Sequence, residues 1–213
     1  MVIGVESRMK RGALGLVLAL SGVLIFAFTG LARSADLSEA VFLVATSALD
    51  GSPFAQSVII TAPLPNGEHI GFIINKPTKL RMAEAFPDDP VARNVKEPIY
   101  LGGPQLLPAV FAVVRTAPEG NGTIVPLMPG LVAIIDGESV DRVIATTPNE
   151  ARYFAGLMVW DDEDLYAQVK AQLWEVRPAD VEAVFRAKAI GLWNALRGPT
   201  ASLPDGLLPK QFG

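Results

Sequence analysis

From Ala40 to Ile135 the chain repeats one pattern, a run of four to eight apolar and largely β-branched residues followed by a break rich in Gly, Pro or Asn. Runs this short suit strands, and a sequence so punctuated cannot form a helical bundle or a coiled coil. The runs are Ala40 to Thr46, Gln56 to Thr61, His69 to Asn75, Pro98 to Leu101, Ala109 to Thr116, Thr123 to Leu127 and Leu131 to Ile135. Asn66-Gly67, between the second and third, predicts a hairpin. Later breaks fall at Gly102-Gly103-Pro104, Glu119-Gly120-Asn121-Gly122 and Pro129-Gly130. Where the gaps are three to seven residues there is no room for a crossover helix, so the strands are expected to pair antiparallel.

The character changes after Thr146. Thr147-Pro148-Asn149-Glu150 has the spacing of a capping box with Pro at the first helical position, which predicts one short turn of helix. Tyr153 to Trp160 is continuously apolar and predicts a buried central strand. Asp161, Asp162, Glu163 and Asp164 then crowd the start of a segment in which Leu165, Val169 and Leu173 recur every four residues, a helix with an acid-rich N-terminus. Ala179 to Arg197 predicts one or two further helices with a stop at Gly198-Pro199, and residues 199–213 read as a loose tail.

The first 34 residues are of another kind. Arg8, Lys10, Arg11 and Arg33 face one acid, Glu6, and Gly12 to Ala32 carries no charge at all. A basic start, an apolar run and small residues near Ala32 and Ser34 describe a secretory leader. The same run is long enough to span a bilayer as an uncleaved anchor. Met9, which opens Met-Lys-Arg before the apolar run, is an alternative start. Both readings put residues 35–198 outside the cytoplasm, in the periplasm or beyond, with membrane contact through residues 12–32 if the leader stays. The net charge of −4 thus averages a basic leader and a remainder holding 14 basic and 21 acidic groups, a net −7. An acidic domain with no basic stripe disfavours nucleic acid as a partner.

Chemistry is narrowed mainly by what is missing. With no Cys and one His, thiolate nucleophiles and Cys-based zinc sites are excluded and most His-dependent metal chemistry with them. No Gly-x-Ser-x-Gly elbow, Ser-x-x-Lys, P-loop or Gly-x-Gly-x-x-Gly occurs, and no cofactor or metal is expected. His69, beginning a strand after a tight turn, is expected to face solvent. The acids from Asp161 to Asp164 lack the spacing and glycine of a calcium loop and are expected to support the helix terminus. Asn75-Lys76-Pro77-Thr78 and Gly102-Gly103-Pro104 each end an apolar run. Glycine N–H groups beside Lys76 can form a concave anion site; the same residues also serve plain turn geometry.

Several of these strand ends together resemble one family. Phe42-Leu43-Val44-Ala45, Phe54-Ala55-Gln56-Ser57-Val58-Ile59-Ile60, Gly71-Phe72-Ile73-Ile74-Asn75-Lys76-Pro77-Thr78 and Tyr100-Leu101-Gly102-Gly103-Pro104 resemble the YqgE/AlgH family in order and spacing. Phe154-Ala155-Gly156, Trp160, Leu165 and Trp174 are similar to that family's closing strand and helix. The resemblance, over roughly Leu37 to Arg197, implies an α/β fold of the α+β kind, a single domain with a mostly antiparallel, barrel-like sheet and peripheral helices. Family members are described as transcriptional regulators after a link to alginate synthesis, without an established activity, so no catalytic residue is carried over. This chain departs in three ways. Where the family runs Gly-Tyr-Ala-Gly-Trp-Gly-Pro-Gly-Gln-Leu, Gly156 is followed by Leu157, Met158, Val159, Trp160 and four acids. The preceding helix looks shortened to the Thr147 turn. Most relatives lack a leader.

The leading expectation is a non-enzymatic binding or regulatory module, for a small anion or a protein partner. The candidate binding residues are Asn75, Lys76, Pro77, Thr78, Tyr100, Gly102, Gly103 and Pro104. The rivals are a hydrolase or transferase holding an anionic small molecule through Lys76 and the glycine N–H groups, and a cytoplasmic transcriptional regulator.

Overall fold

Successive residues along the central strands are buried, and the reason is that both faces of the sheet there are covered. In the computed structural model, which describes residues 36–197, ten strands form one curled, half-barrel sheet. They are β1 (Val41–Ala45), β2 (Val58–Pro63), β3 (Glu68–Ile73), β4 (Pro77–Arg81), β5 (Pro98–Leu101), β6 (Gln105–Val114), β7 (Ile124–Met128), β8 (Leu131–Ile134), β9 (Ala151–Asp161) and β10 (Trp174–Pro178). The order is β10-β1-β2-β3-β9-β6-β8-β7, with β4 attached through β5 to β9. Every ladder is antiparallel except β5–β9. Five helices are interspersed: α1 (Met82–Ala85), α2 (Gly137–Thr146), α3 (Asp162–Lys170), α4 (Val181–Val184) and α5 (Leu192–Leu196).

Three apolar clusters follow from the two-residue period of the strands. Phe42, Ile60, Phe72, Phe111, Val113 and Phe154 share one cluster, which Val184, Leu192 and Trp193 of the C-terminal helices join. Their neighbours Leu43, Ile59 and Ile73 point the other way and meet Leu165 and Val169 of α3. Further along, Ala112, Val114 and Tyr153 meet Val140, Val143 and Ile144 of α2. A sheet covered on both faces needs apolar residues at successive positions, so the runs lack clean polar alternation.

Fully buried Arg152 ties the C-terminal segment to this sheet. Its guanidinium donates to both Glu97 oxygens at 3.1 and 3.2 Å and to the Val184 and Arg186 carbonyls at the end of α4, and its Cζ lies 4.3 Å from the Tyr100 ring centroid. A buried charge is tolerable when its donors are satisfied this way.

The single α+β domain expected is the one found, with differences in detail. The helix expected to start at Thr147 instead ends there: Asp136 caps α2 by accepting from the Ser139 N–H at 2.9 Å, and the Thr147 N–H donates back to Val143. The helix before β9 is therefore ten residues long rather than shortened. Leu173 falls outside α3, because Gln172 turns to φ +59 and the chain enters β10 at the edge of β1. Pro77 and Thr78 begin a strand, β4. His69, expected at the surface, is 3% exposed, with Nε2 3.0 Å from the Leu37 carbonyl. The leader over residues 1–34, the alternative start at Met9 and the tail over 199–213 lie outside the described residues. Among the described residues no helix is long and apolar enough to cross a membrane.

Candidate functional site

The two candidate loops do meet. Phe154 of β9 pairs with Tyr100 of β5 on one edge and with Phe111 of β6 on the other. The chain leaving β5 must therefore cross over β9 between Leu101 and Gln105 to begin β6. Two backbones in contact at a crossing leave no space for side chains, which is why glycines stand there. A Cβ on Gly102 would lie 2.1 Å from the Gly156 carbonyl oxygen, one on Gly103 2.2 Å from that of Leu157, and one on Gly156 2.3 Å from that of Gly103. Gly156 is itself at φ +68. The break in alternation there lets Phe154 and Leu157, three apart, share one cluster.

The polar groups at this crossing face inward and are engaged. The Gly102 N–H donates to Ala155 O and its carbonyl accepts from the Ile73 N–H, both at 2.8 Å. The Asn75 amide acts as an inserted strand segment: Oδ1 accepts from the Val58 N–H and Nδ2 donates to Gln56 O, each at 2.8 Å. The Lys76 carbonyl accepts from Leu101, the Thr78 hydroxyl donates to Ile99 O at 2.7 Å, and Pro77 sits opposite Tyr100. Lys76 Nζ donates to Pro53 O at 2.6 Å, and burial holds its pKa below the usual value. Tyr100 is buried under Arg152, and its phenol pKa is raised, mainly by burial. Of the eight candidates, Pro104 alone is among the residues lining the larger open concavities described next.

That opening is a groove of about 660 Å³ beside the crossing. Pro104 and Gln105 form one wall, Met158 to Asp161 of β9 another, and Leu49, Phe54, Leu173 and Trp174 supply apolar surface. Phe54 and Trp174 meet edge to face with centroids 6.3 Å apart. Side-chain amides brace the walls: Gln168 Oε1 accepts from Trp174 Nε1 at 2.9 Å, and Gln105 Nε2 donates to Val159 O at 3.2 Å. Among the described residues, the charged groups lining it are Glu68, Asp161 and Asp164, with no Lys, Arg or His. The stretch from Met158 to Asp164, where this chain departs from the family pattern, thus supplies much of the groove.

A second cleft, of about 1130 Å³, lies between the 115–120 segment and α2. Its arginines are already paired within the fold: Arg115 forks onto Glu182 at 2.7 and 3.0 Å and covers the Phe185 ring, while Arg142 contacts Glu138 at 3.2 Å. Among the described residues no group of three or more His, Cys, Asp or Glu side chains is placed to hold a metal ion. Neither Phe54 and Trp174 nor the acids Glu68 and Asp164 stood out as binding residues in the sequence. They lie on four separate segments, and the visible signal was an excess of acid near Trp160.

The AlgH-like family model matches residues 42–198. A UPF0301 protein of Chlorobaculum tepidum is 27% identical over 161 residues, covering 74% of this chain and 84% of that protein. One from Cronobacter sakazakii is 25% identical, covering 72% and 86%. Among solved structures, the solution structure of the AlgH protein from Pseudomonas aeruginosa superposes with a TM-score of 0.60 at 23% identity, covering 71% of this chain and 82% of that one. A Corynebacterium diphtheriae protein solved by crystallography gives the same TM-score at 20% identity, covering 76% and 87%. Both share the fold.

Proposed function

The chain belongs to the AlgH-like family, and from that premise we propose that it is a non-enzymatic binding module, exported or membrane-anchored, whose ligand seat is the groove around Phe54 and Trp174. The observation that carries this reading is the contrast between the open groove, where Leu49, Phe54 and Leu173 stay half-exposed, and the closed crossing beside it. Ligand sites are concave, mostly apolar and of this size, with a few polar groups that fix orientation. The residues from Asn75 to Thr78, with Tyr100, Gly102 and Gly103, serve it as a frame, holding β3, β5 and β9 so that Pro104 and Gln105 stand at the groove's edge.

A screen of small aromatic fragments against the full-length chain, read by the indole resonances of Trp160 and Trp174, tests the seat. Hits are expected to move those two signals and to lose affinity in Leu49→Arg, which puts a long side chain into the groove from a half-buried loop position. Hits that move neither indole, or that bind Leu49→Arg unchanged, overturn it. Export is supported by the uncharged run from Gly12 to Ala32. Fractionation with N-terminal sequencing is expected to place the chain outside the cytoplasm, cut near Ala32 or Ser34 or still anchored. Recovery in the cytoplasm with an intact leader overturns that part.

A further inference from the structure

We propose that Asn121-Gly122 is a site of spontaneous covalent modification, at which the chain converts its own side-chain amide into aspartate and isoaspartate. The reaction needs an asparagine followed by a residue whose backbone nitrogen reaches the asparagine Cγ, and glycine, lacking a Cβ, hinders that approach least. The chain holds two such pairs, Asn66-Gly67 and Asn121-Gly122. Sequence makes them equal candidates; structure separates them. In the hairpin between β2 and β3 the reacting groups are tied down. The Gly67 N–H donates to the Leu64 carbonyl at 3.1 Å, Asn66 Oδ1 accepts from the Glu68 N–H at 3.2 Å, and Asn66 Nδ2 donates to the Glu68 carboxylate at 2.6 Å. Asn121 and Gly122 are both exposed, in the irregular stretch between β6 and β7. Among the described residues neither the Asn121 amide nor the Gly122 N–H has a hydrogen-bond partner.

The step balances with water as the only other reactant. Gly122 N gives up its proton and attacks Asn121 Cγ; the N–Cγ bond forms, the Cγ–Nδ2 bond breaks, and Nδ2 leaves as ammonia, taking up the proton. The cyclic imide then adds one water. Opening at Cγ leaves aspartate, and opening at the main-chain carbonyl carbon leaves isoaspartate, whose main chain runs through Cβ and Cγ and is one atom longer. The change falls beside a fixed point of the fold. The Thr123 N–H donates to Asp136 Oδ2 at 2.7 Å, while the other oxygen of Asp136 caps α2 through the Ser139 N–H. Gly122 itself lies so close to Ser139 that a Cβ there would run into the hydroxyl. Either product therefore brings a new carboxylate next to Asp136, and isoaspartate also shifts the backbone that Asp136 holds.

The test incubates the full-length chain in mildly alkaline buffer, folded and in denaturant, and follows both asparagines by peptide mass spectrometry, with released ammonia as a second readout. In the folded chain Asn121 is expected to convert about tenfold or more faster than Asn66, because Asn66 and Gly67 must first give up their hydrogen bonds. In denaturant, where those bonds are gone, the two rates should converge. Asn121→Gln should remove the fast phase and its ammonia while Asn66 keeps its slow rate. Glu68→Ala, which frees the Asn66 amide from its carboxylate partner, should speed Asn66 and leave Asn121 unchanged. Equal rates in the folded chain, or a faster Asn66, overturn the proposal. A preference for Asn121 that persists undiminished in denaturant overturns it as well, since the fold would then not be its cause.

Discussion

The glycine crossing and the acidic groove share Pro104 as a border and follow opposite rules. At the crossing, Gly102 is engaged through both its N–H and its carbonyl, Asn75 through both ends of its amide, and side-chain space is absent. In the groove, side chains define an open volume, and the charged residues among its described lining are Glu68, Asp161 and Asp164. The residues that looked most like a binding loop are therefore the ones that hold the sheet together, while the open volume lies beside them, against β9 and β10. Glycine and proline at strand ends here mark close backbone approach, and acids after a strand mark the start of a helix.

The harshest way to break this comparison is to add a methyl group at the crossing. Gly102→Ala drives a Cβ to 2.1 Å from a backbone oxygen and should cost on the order of 4 kcal/mol or more, leaving little folded protein by urea denaturation. A folded, stable Gly102→Ala would show that the crossing is slack. Asn75→Ala strands the buried Val58 N–H and the part-buried Gln56 C=O, for an expected loss of about 1 to 3 kcal/mol. Lys76→Ala sharpens the contrast. It removes a single bond to Pro53 O, should shift stability by less than about 1 kcal/mol and should leave fragment binding untouched. Loss of binding in a stable Lys76→Ala would restore the anion loop as the site.

Smaller effects are expected at two further points. The Tyr153 hydroxyl is buried with no protein partner, so Tyr153→Phe should be neutral or stabilising by up to about 1 kcal/mol. Burial also raises the Tyr153 pKa above the usual phenol value of 10.0. The folded state then holds a proton that the unfolded state releases, so stability is complete below about pH 10 and declines as pH rises further. Denaturation at alkaline pH should show a shallower decline in Tyr153→Phe, with Tyr100 and Tyr166, also raised, supplying the remainder. Asp164→Asn removes a favourable charge from the first turn of α3 and should lower stability by less than about 1 kcal/mol; an unchanged melting temperature would show that the helix terminus does not depend on it.

Much of the sheet was legible because burial on both faces demands continuous apolar runs, and six of the seven expected runs overlap strands closely. The run from Ala109 was seen short, since β6 starts at Gln105, where the crossing has just delivered the chain. Helix α2 carried its signals, Asp136 three before Ser139 and apolar Val140, Val143 and Ile144, but the capping-box pattern at Thr147 competed with them and marks a turn. Strand β10 is five residues long and follows a helix whose period runs on to Leu173, so only its pairing with β1 identifies it. His69 looked exposed because its hydrogen-bond partner, the Leu37 carbonyl, is 32 residues away in sequence.

Local sequence, then, determined the strands, the family, the acid balance of the domain and the presence of glycine at Gly102 and Gly103, because each depends on near neighbours, on composition or on ordered motifs. Tertiary structure alone decided what those glycines do and where an opening exists. A backbone crossing requires Gly156, over fifty residues downstream, and the groove requires Phe54, Glu68, Asp161 and Trp174 to converge from separate elements. Contacts between residues so far apart leave no period or spacing to read, and only chain closure in space brings them together.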